Sequence, residues 1–221
     1  APTQAPTAAP TQVPTAAPTQ APTAAPTQAP TAVAAVGPLL DESFANAPRG
    51  WPNSPDSSAF WDTQGYHLVP RIAGQHVAIG ASLSTSLTDV TVTGLFRKIA
   101  GPVGGGYGLV IRAQGTPLDG SDQGGRYYVF EVGDRGQVGA WRRDQDHWVD
   151  LLPWTDSAAV QSGAAENGVV VRAIGSQFTF AVNNQQVAQV SDAALSDGAV
   201  GVFVGGDGNQ VLLERFGVTV P

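Results

Sequence analysis

The chain has 221 residues, with 11 Lys or Arg against 18 Asp or Glu, so its net charge is −7. An acidic chain lacks the basic patches that nucleic acid and anionic membrane surfaces require, which argues against both as partners. The absence of cysteine excludes a disulfide framework, a thiol nucleophile and a thiolate metal site. No apolar run approaches the ~18 residues of a transmembrane helix, so no membrane span is expected.

The chain opens with a strict tetrapeptide repeat, Ala/Val-Pro-Thr-Gln/Ala, over residues 1–32. Proline occupies every fourth position, and each proline removes a backbone donor and disfavours the α conformation of the residue before it. Helix is therefore excluded, and a β-ladder would lose a hydrogen bond in every tetrad. An extended polyproline II segment remains, which at ~3.1 Å per residue would span about 100 Å.

Each tetrad also carries one threonine beside its proline. Because polyproline II has about three residues per turn, successive threonines point to all sides of the axis, whereas a groove ligand presents one face. We predict an O-glycosylated, stiffened stalk. An unmodified spacer and a stalk with hydroxylated, glycosylated prolines are the alternatives. The candidate attachment sites are Thr3, Thr7, Thr11, Thr15, Thr19, Thr23, Thr27 and Thr31.

An apolar junction, AVAAVGPLL, follows the repeat at residues 32–40. We favour its forming the first strand of the domain's own sheet, and the alternative is that it pairs with the sheet edge of a neighbouring copy. The sequence thus predicts a stalk at 1–36 and one folded domain at 37–221, a size that a single core can stabilise. Because the chain begins with Ala and not Met, we expect a processed or truncated product.

From residue 37 onward the pattern is that of short β-strands. Alternating apolar runs such as YGLVIRAQG, RYYVFEVG and GVVVRAIG recur between clusters of Gly, Asn, Asp and Ser. The segments GDRGQ (133–137) and VNNQQV (182–187) predict hairpin turns. No segment keeps an apolar period of 3.6 residues, so one-turn helices at most are expected, the best candidate being SDAALSDG (191–198). This pattern predicts an all-β sandwich or barrel.

Several motifs follow one another in a recognisable order between residues 39 and 220. ESFANAPRGW gives a strand followed by Gly-Trp, and YGLVIRAQ gives a Gly-Leu-Val-x-Arg strand containing Arg112. RYYVFEVGDRGQVGAWRRDQDHWVDLLPW, Asn167 and the hairpin at 182–187 come next, and DGAVGVFVGG and ERFGVTV close the series. Together they resemble a bacterial concanavalin A-like lectin/glucanase domain of the LamG-like or 3-keto-disaccharide hydrolase-like type.

That resemblance implies a two-sheet jelly-roll sandwich. Asn184 replaces the usual hairpin glycine, and LERF replaces a more typical Phe-Asp-Asn-Phe, but neither change alters the expected fold. Because this fold carries lectins, glycanases and structural modules alike, the resemblance specifies no activity.

A catalytic acid pair is missing from the sequence. Glycanases of the resembled fold carry Glu-x-Asp-x-x-Glu on one strand, since hydrolysis needs two carboxyl groups close together. The nearest approach is FEVGDRG, where a turn separates Glu131 from Asp134. We expect Glu131 to be a solvated strand residue, and Asp144, Asp146 and Asp150 to belong to a charged hairpin. The sequence therefore predicts no catalytic residue and no enzyme.

Metal and cofactor motifs are also missing. DGSDQGG places Asp119 and Asp122 in a glycine-rich loop but lacks the terminal glutamate of a calcium loop, so we favour a plain polar turn. The three histidines have no i, i+4 spacing for zinc, and GPVGGGYG (101–108) is not followed by the residues of a phosphate-binding loop. We predict neither a metal nor a cofactor.

The five tryptophans can either fill the core or offer flat platforms to sugar rings. Trp51 and Trp154 occupy positions that the resembled family would bury. Trp141 and Trp148 flank the polar tip RRDQDH, so they are the candidate carbohydrate-binding residues, with a purely structural role as the alternative.

Two functions fit these observations. The favoured one is a non-catalytic extracellular structural protein, a fibre or stalk subunit that self-associates and uses the glycosylated repeat as a spacer or inter-subunit strap. The alternative is a carbohydrate-binding or sensor ectodomain displayed on the stalk. The lack of Cys and Met, both readily oxidised, suits an extracellular or cell-surface location.

Overall fold

The computed structural model describes residues 37–115, 117–121 and 124–221. These residues form fourteen β-strands and no helix. The strands are β1 Leu40–Glu42, β2 Ala59–Asp62, β3 Gly65–Leu68, β4 Val77–Gly80, β5 Val90–Ala100, β6 Gly106–Gln114, β7 Arg126–Gly133, β8 Gln137–Asp144, β9 His147–Asp156, β10 Glu166–Ile174, β11 Gln177–Val182, β12 Gln185–Ser191, β13 Ala199–Gly205 and β14 Gln210–Thr219. The predicted polyproline II segment with its candidate glycosylation sites, and Asp122 of the acidic loop, lie outside the described residues.

The strands form two antiparallel sheets, which confirms the predicted all-β jelly-roll sandwich. The eight-stranded sheet has the order β12-β11-β10-β5-β14-β3-β2, with β1 also paired to β14. The six-stranded sheet has the order β4-β13-β6-β7-β8-β9. In the β1–β14 pair, Leu40 lies opposite Val218, so the described end of the apolar junction joins the sheet of its own domain.

The main core lies between the two sheets. On β10 and β11 every second residue is buried, the pattern of strands with one packed and one solvated face. From β7, Tyr128 and Phe130 contact Phe178 of β11 with ring centroids 4.6 and 5.5 Å apart. Burying such side chains contributes about 1.5–3 kcal/mol each, so these contacts hold the two sheets face to face.

The six-stranded sheet is buried on its outer face as well. A second, smaller cluster there contains Val110, Tyr127, Val129 and Phe203. The expectation that Glu131 is solvated was wrong, since only 7% of this residue is exposed. The reason is that β7 is an inner strand whose outer face is covered by aromatic side chains from other parts of the chain.

Buried polar groups tie loops to the core. Arg112, in the motif that carries the family resemblance, lies at φ 57° and donates hydrogen bonds to the carbonyl oxygens of Leu195 (2.9 Å) and Thr88 (3.0 Å). Its guanidinium group also stacks over Phe178, 5.1 Å from the ring centroid. Arg112 therefore has a structural role, because it anchors two connecting segments beneath the sandwich.

Both predicted hairpin turns are confirmed, while the predicted one-turn helix was wrong. Asn183 and Asn184 have φ of 50° and 64°, as a tight turn between β11 and β12 requires. Residues 192–197 are irregular because Asp192 turns inward, where it accepts hydrogen bonds from Tyr128 Oη (2.7 Å) and from Arg142. The described part of the chain contains no helix that could cross a bilayer.

Candidate functional site

A cleft of about 650 Å³ opens on the outer face of the six-stranded sheet. Its floor is formed by the central strands β13, β6, β7 and β8, and its sides by residues of β9 and of the loops next to β4 and β13. The strand register determines which side chains reach the floor. Gly205, Gly106 and Gly133 form one row across neighbouring strands, and Phe203, Gly108, Glu131 and Gly139 form the next.

The glycines of these rows leave room for aromatic rings to lie flat on the sheet. A Cβ atom at Gly139 would stand 2.0 Å from Cη2 of Trp141, so that indole covers Gly139 directly. A Cβ atom at Gly133 would meet Cζ3 of Trp154 at 3.1 Å. The two indoles make an edge-to-face contact with centroids 4.8 Å apart. Side chains larger than hydrogen on this floor would push both tryptophans out of the cleft.

Trp154 was expected in the core and is 43% exposed, so that prediction was wrong. The pairing of β8 with β9 contains two register shifts, one between Ala140 and Trp141 and one between Val138 and Ala140. Val138 lies opposite Thr155 and Ala140 opposite Leu152, so two residues of β9 face the single residue Gly139. Each shift changes the face to which the following side chains point, so the two together leave Trp154 on the same face as Trp148 and Asp150, in the lining of the cleft.

Trp148 forms the opposite side of the cleft and is 41% exposed. Its ring makes edge-to-face contacts with His76, Tyr127 and Phe203 at centroid distances of 5.6, 6.1 and 5.9 Å. The guanidinium carbon of Arg143 lies 4.9 Å from the indole centroid, a cation–π distance. These contacts fix the ring orientation while one face of Trp148 stays accessible.

Glu131 lies at the centre of the floor. A Cβ atom at Gly106 would stand 2.8 Å from Glu131 Oε1 and 3.1 Å from Cη2 of Trp154, so the carboxyl group lies beside the indole. Burial in this surrounding raises the pKa of Glu131 to about 8, because the charged form loses its hydration. Among the described residues, no side chain or backbone group forms a hydrogen bond or an ion pair with this carboxyl group, whose small exposed fraction, 7%, faces the cleft.

The other polar groups of the cleft lie towards its rim. His76 Nε2 and Tyr127 Oη share a hydrogen bond of 2.8 Å. Asp207 accepts a hydrogen bond from the backbone nitrogen of Gly74 (2.6 Å), which joins two loops at one end of the cleft. Asp150 on β9 completes the acidic residues of the lining. Within the described residues, the lining includes no Lys or Arg.

Two buried polar contacts support the glycine-rich end of the floor. Lys98 forms an ion pair with Asp134, which also accepts a hydrogen bond from the backbone nitrogen of Gly104 (2.9 Å). Asn209 donates hydrogen bonds to the carbonyl oxygens of Gly106 (3.1 Å) and Gly205 (3.0 Å). Asp134 thus acts as a structural residue, and the loops that frame the cleft are held in fixed positions.

The structure brings the two sequence candidates, Trp141 and Trp148, to the same cleft. It also adds Trp154 and Glu131, which sequence reasoning had assigned elsewhere. The burial of Glu131 could have been predicted from the sequence. Strict alternation in RYYVFEV places Glu131 on the same face as Tyr127 and Val129, and these two hydrophobic residues are expected to be buried. No group of His, Asp or Glu side chains suited to a metal ion occurs in the part of the chain that the structure describes.

No protein-family model and no curated protein matches the sequence. Solved structures do match: a Bacillus subtilis protein of unknown function with a galectin-like fold (13% identity, TM-score 0.61) covers 84% of this chain and 96% of its own. The carbohydrate-binding module CBM66 from Bacillus subtilis (14%, 0.57) covers 79% and 92%, and the Bacillus licheniformis β-glucanase (11%, 0.55) covers 84% and 99%. The domain therefore has the jelly-roll fold of lectins and glucanases.

Proposed function

We propose that the domain is a non-catalytic carbohydrate-binding module and that its ligand lies in the cleft on the outer face of the six-stranded sheet. The observation that carries this proposal is the convergence of Trp141, Trp148 and Trp154 around a floor of glycines and one carboxyl group. Pyranose rings have apolar C–H faces that stack on indoles and a polar rim that needs hydrogen-bonding groups. The cleft offers both kinds of contact.

The exposure of two of these indoles supports the same function. Trp148 and Trp154 are two of the five exposed large hydrophobic side chains among the described residues, and both line the proposed binding cleft. Contiguous exposed apolar surface on a soluble domain commonly marks a binding site. One of the similar structures is a carbohydrate-binding module, which agrees with this function, and at 14% identity the likeness concerns the fold alone.

Binding without hydrolysis is the form of this function that the floor favours. A glycosidase needs two carboxyl groups about 5–9.5 Å apart across the scissile bond. On β7 the outward-facing neighbours of Glu131 are Val129 and Gly133, so this strand supplies no second carboxyl group. The other two acids of the lining, Asp150 and Asp207, lie on β9 and in the loop after β13 and do not reproduce the one-strand acid pair of the glycanases. We expect no reducing ends to be released from polysaccharides that the protein binds.

The fibre hypothesis concerns a different part of the chain. A structural fibre subunit with a glycosylated, strap-like repeat rests on residues 1–36, which lie outside the described residues. It stays a prediction from the sequence, as does the extracellular or cell-surface location, and both are compatible with a glycan-binding domain. Mass spectrometry of repeat peptides tests the glycosylation, and unmodified masses would contradict it.

Isothermal titration of the full-length protein against a panel of soluble oligosaccharides tests the binding function. We expect saturable binding that weakens at least tenfold, or about 1.4 kcal/mol, in Trp148→Ala and Trp154→Ala. Leu39→Ala is the matched control, because Leu39 has a similar exposed fraction, 44%, and precedes β1 in the other sheet. No binding to any saccharide, or unchanged binding in both tryptophan variants, would contradict the proposal.

A further inference from the structure

The carboxyl group of Glu131 is the feature of the cleft that saccharide stacking leaves unexplained. It is 7% exposed, and no other described side chain or backbone group pairs with it. Burying a carboxyl group without a protein partner is costly, and such a group is satisfied by water, by an ion or by a ligand. Glu131 lies on the floor of the cleft, so the missing partner can come from a bound molecule.

The surroundings of this carboxyl group are aromatic. A Cβ atom built on Gly106 would lie 2.8 Å from Glu131 Oε1 and 3.1 Å from the indole of Trp154. A Cβ atom built on Gly205 would lie 3.6 Å from the same oxygen and 3.3 Å from the ring of Phe203. On its other side Glu131 is paired with Gly139, over which the indole of Trp141 lies. One carboxyl group among three aromatic rings is the arrangement with which proteins bind ammonium groups, by charge and by cation–π attraction.

The charged residues of the cleft lining also favour a cationic ligand. In the described part of the chain, the acidic members of the lining are Glu131 on β7, Asp150 on β9 and Asp207 after β13, and the other titratable side chain is His76, which is hydrogen-bonded to Tyr127. Two cations lie just outside the lining: Arg143 is directed at the ring of Trp148, and Arg135 lies beside Gly104 at the glycine-rich end. Asp150 and Asp207 make the free cleft unfavourable for carboxylated and sulfated sugars and favourable for cationic ones.

We propose that the cleft selects saccharides that carry a free amino group, and that the protonated amine forms an ion pair with Glu131 between the indoles of Trp141 and Trp154. The inference rests on the proposed function and names its ligand class, unacetylated hexosamine units. An N-acetylated unit has no positive charge to offer Glu131.

Proton linkage gives a signature of this ion pair that sugar stacking alone does not produce. The pKa of Glu131 is raised to about 8 in the free cleft, so near pH 6.5 its carboxyl group carries a proton. A bound ammonium group favours the carboxylate form, and the proton is released to the buffer. Titrations in two buffers with different ionisation enthalpies should show the wild-type protein releasing about one more proton than Glu131→Gln.

The deciding experiment compares glucosamine and galactosamine oligomers with their N-acetylated counterparts and with the corresponding hydroxyl sugars on the full-length protein. We expect the free-amine oligomers to bind at least tenfold more tightly, and Glu131→Gln to abolish this preference while it keeps the fold. Asp144→Asn is the matched control, because Asp144 is an acid of the same sheet outside the cleft lining, and it should behave as wild type.

The outcomes separate the two proposals. Binding of hydroxyl or N-acetylated sugars as tightly as of free-amine oligomers overturns the amino-sugar inference and leaves saccharide binding intact. The same holds if Glu131→Gln retains the amine preference. If no saccharide binds at all, the proposed function fails and the inference fails with it.

Discussion

At the scale of single residues, glycine and glutamate define the site more than the tryptophans do. Trp141 reaches its position because Gly139 has no side chain, and Trp154 lies over Gly133 and Gly106 for the same reason. We expect Gly139→Ala to displace the indole of Trp141, since the new methyl group would lie 2.0 Å from the ring. Weaker saccharide binding together with a shifted tryptophan emission maximum would show this, and an unchanged spectrum would contradict it.

Glu131 makes the stability of the domain depend on pH. Its pKa is about 4.5 in the unfolded chain and about 8 in the folded one, so the native state binds the extra proton between these values. The contribution of Glu131 to the free energy of unfolding is therefore most favourable below about pH 4.5, and it decreases by several kcal/mol as the pH rises to about 8. We expect Glu131→Gln to unfold at higher urea than wild type at about pH 8 and to lose this slope.

The comparison of the two proteins isolates Glu131, since all other titrating groups are shared. Urea unfolding at several pH values between about 5 and 8 measures the slope of each protein. If the free energy of unfolding depended on pH in the same way for wild type and Glu131→Gln, this expectation would be contradicted. Glu131 would then be ionised in the folded protein and would have a partner in the cleft.

At the scale of elements, one acidic residue joins the two sheets. Asp192 follows β12 of the eight-stranded sheet and accepts hydrogen bonds from Tyr128 of β7 and Arg142 of β8 in the other sheet. We expect Asp192→Ala to cost about 3–5 kcal/mol, because it leaves the largely buried Arg142 without its partner. Asp41→Ala, which breaks the exposed ion pair with Arg215, should change urea unfolding little. Similar midpoints for both variants would contradict this role of Asp192.

The strands and turns could be predicted from the sequence because their signals are local. Alternation in RYYVFEV, and asparagines in the turn at 182–187, require no knowledge of the rest of the molecule. The exposure of Trp154 could not be predicted from the resemblance, because it depends on how β9 pairs with β8, where the register shifts twice. The identity of the rings that cover Glu131 likewise depends on β9 and β13, far away along the chain.

At the scale of the whole molecule, the described domain has the features of an independently folding unit. β1 is paired with β14, and the core residues run from Phe44 to Val218, so both ends of the domain meet in one sheet. We expect deletion of residues 1–36 to leave the urea midpoint and saccharide affinity unchanged, because all fourteen described strands, and the core between them, lie within residues 37–221. A large loss of stability would show that the repeat packs on the domain.

The same deletion tests the fibre hypothesis. If the repeat is a spacer or strap between copies, the full-length protein should form filaments under the electron microscope and the variant that lacks residues 1–36 should stay monomeric. Trp148→Ala in the full-length chain is the matched control, since it alters the cleft and leaves the repeat intact. Filaments that persist after the deletion would assign assembly to the sandwich itself. Filaments lost in Trp148→Ala would instead mean that copies associate through the cleft.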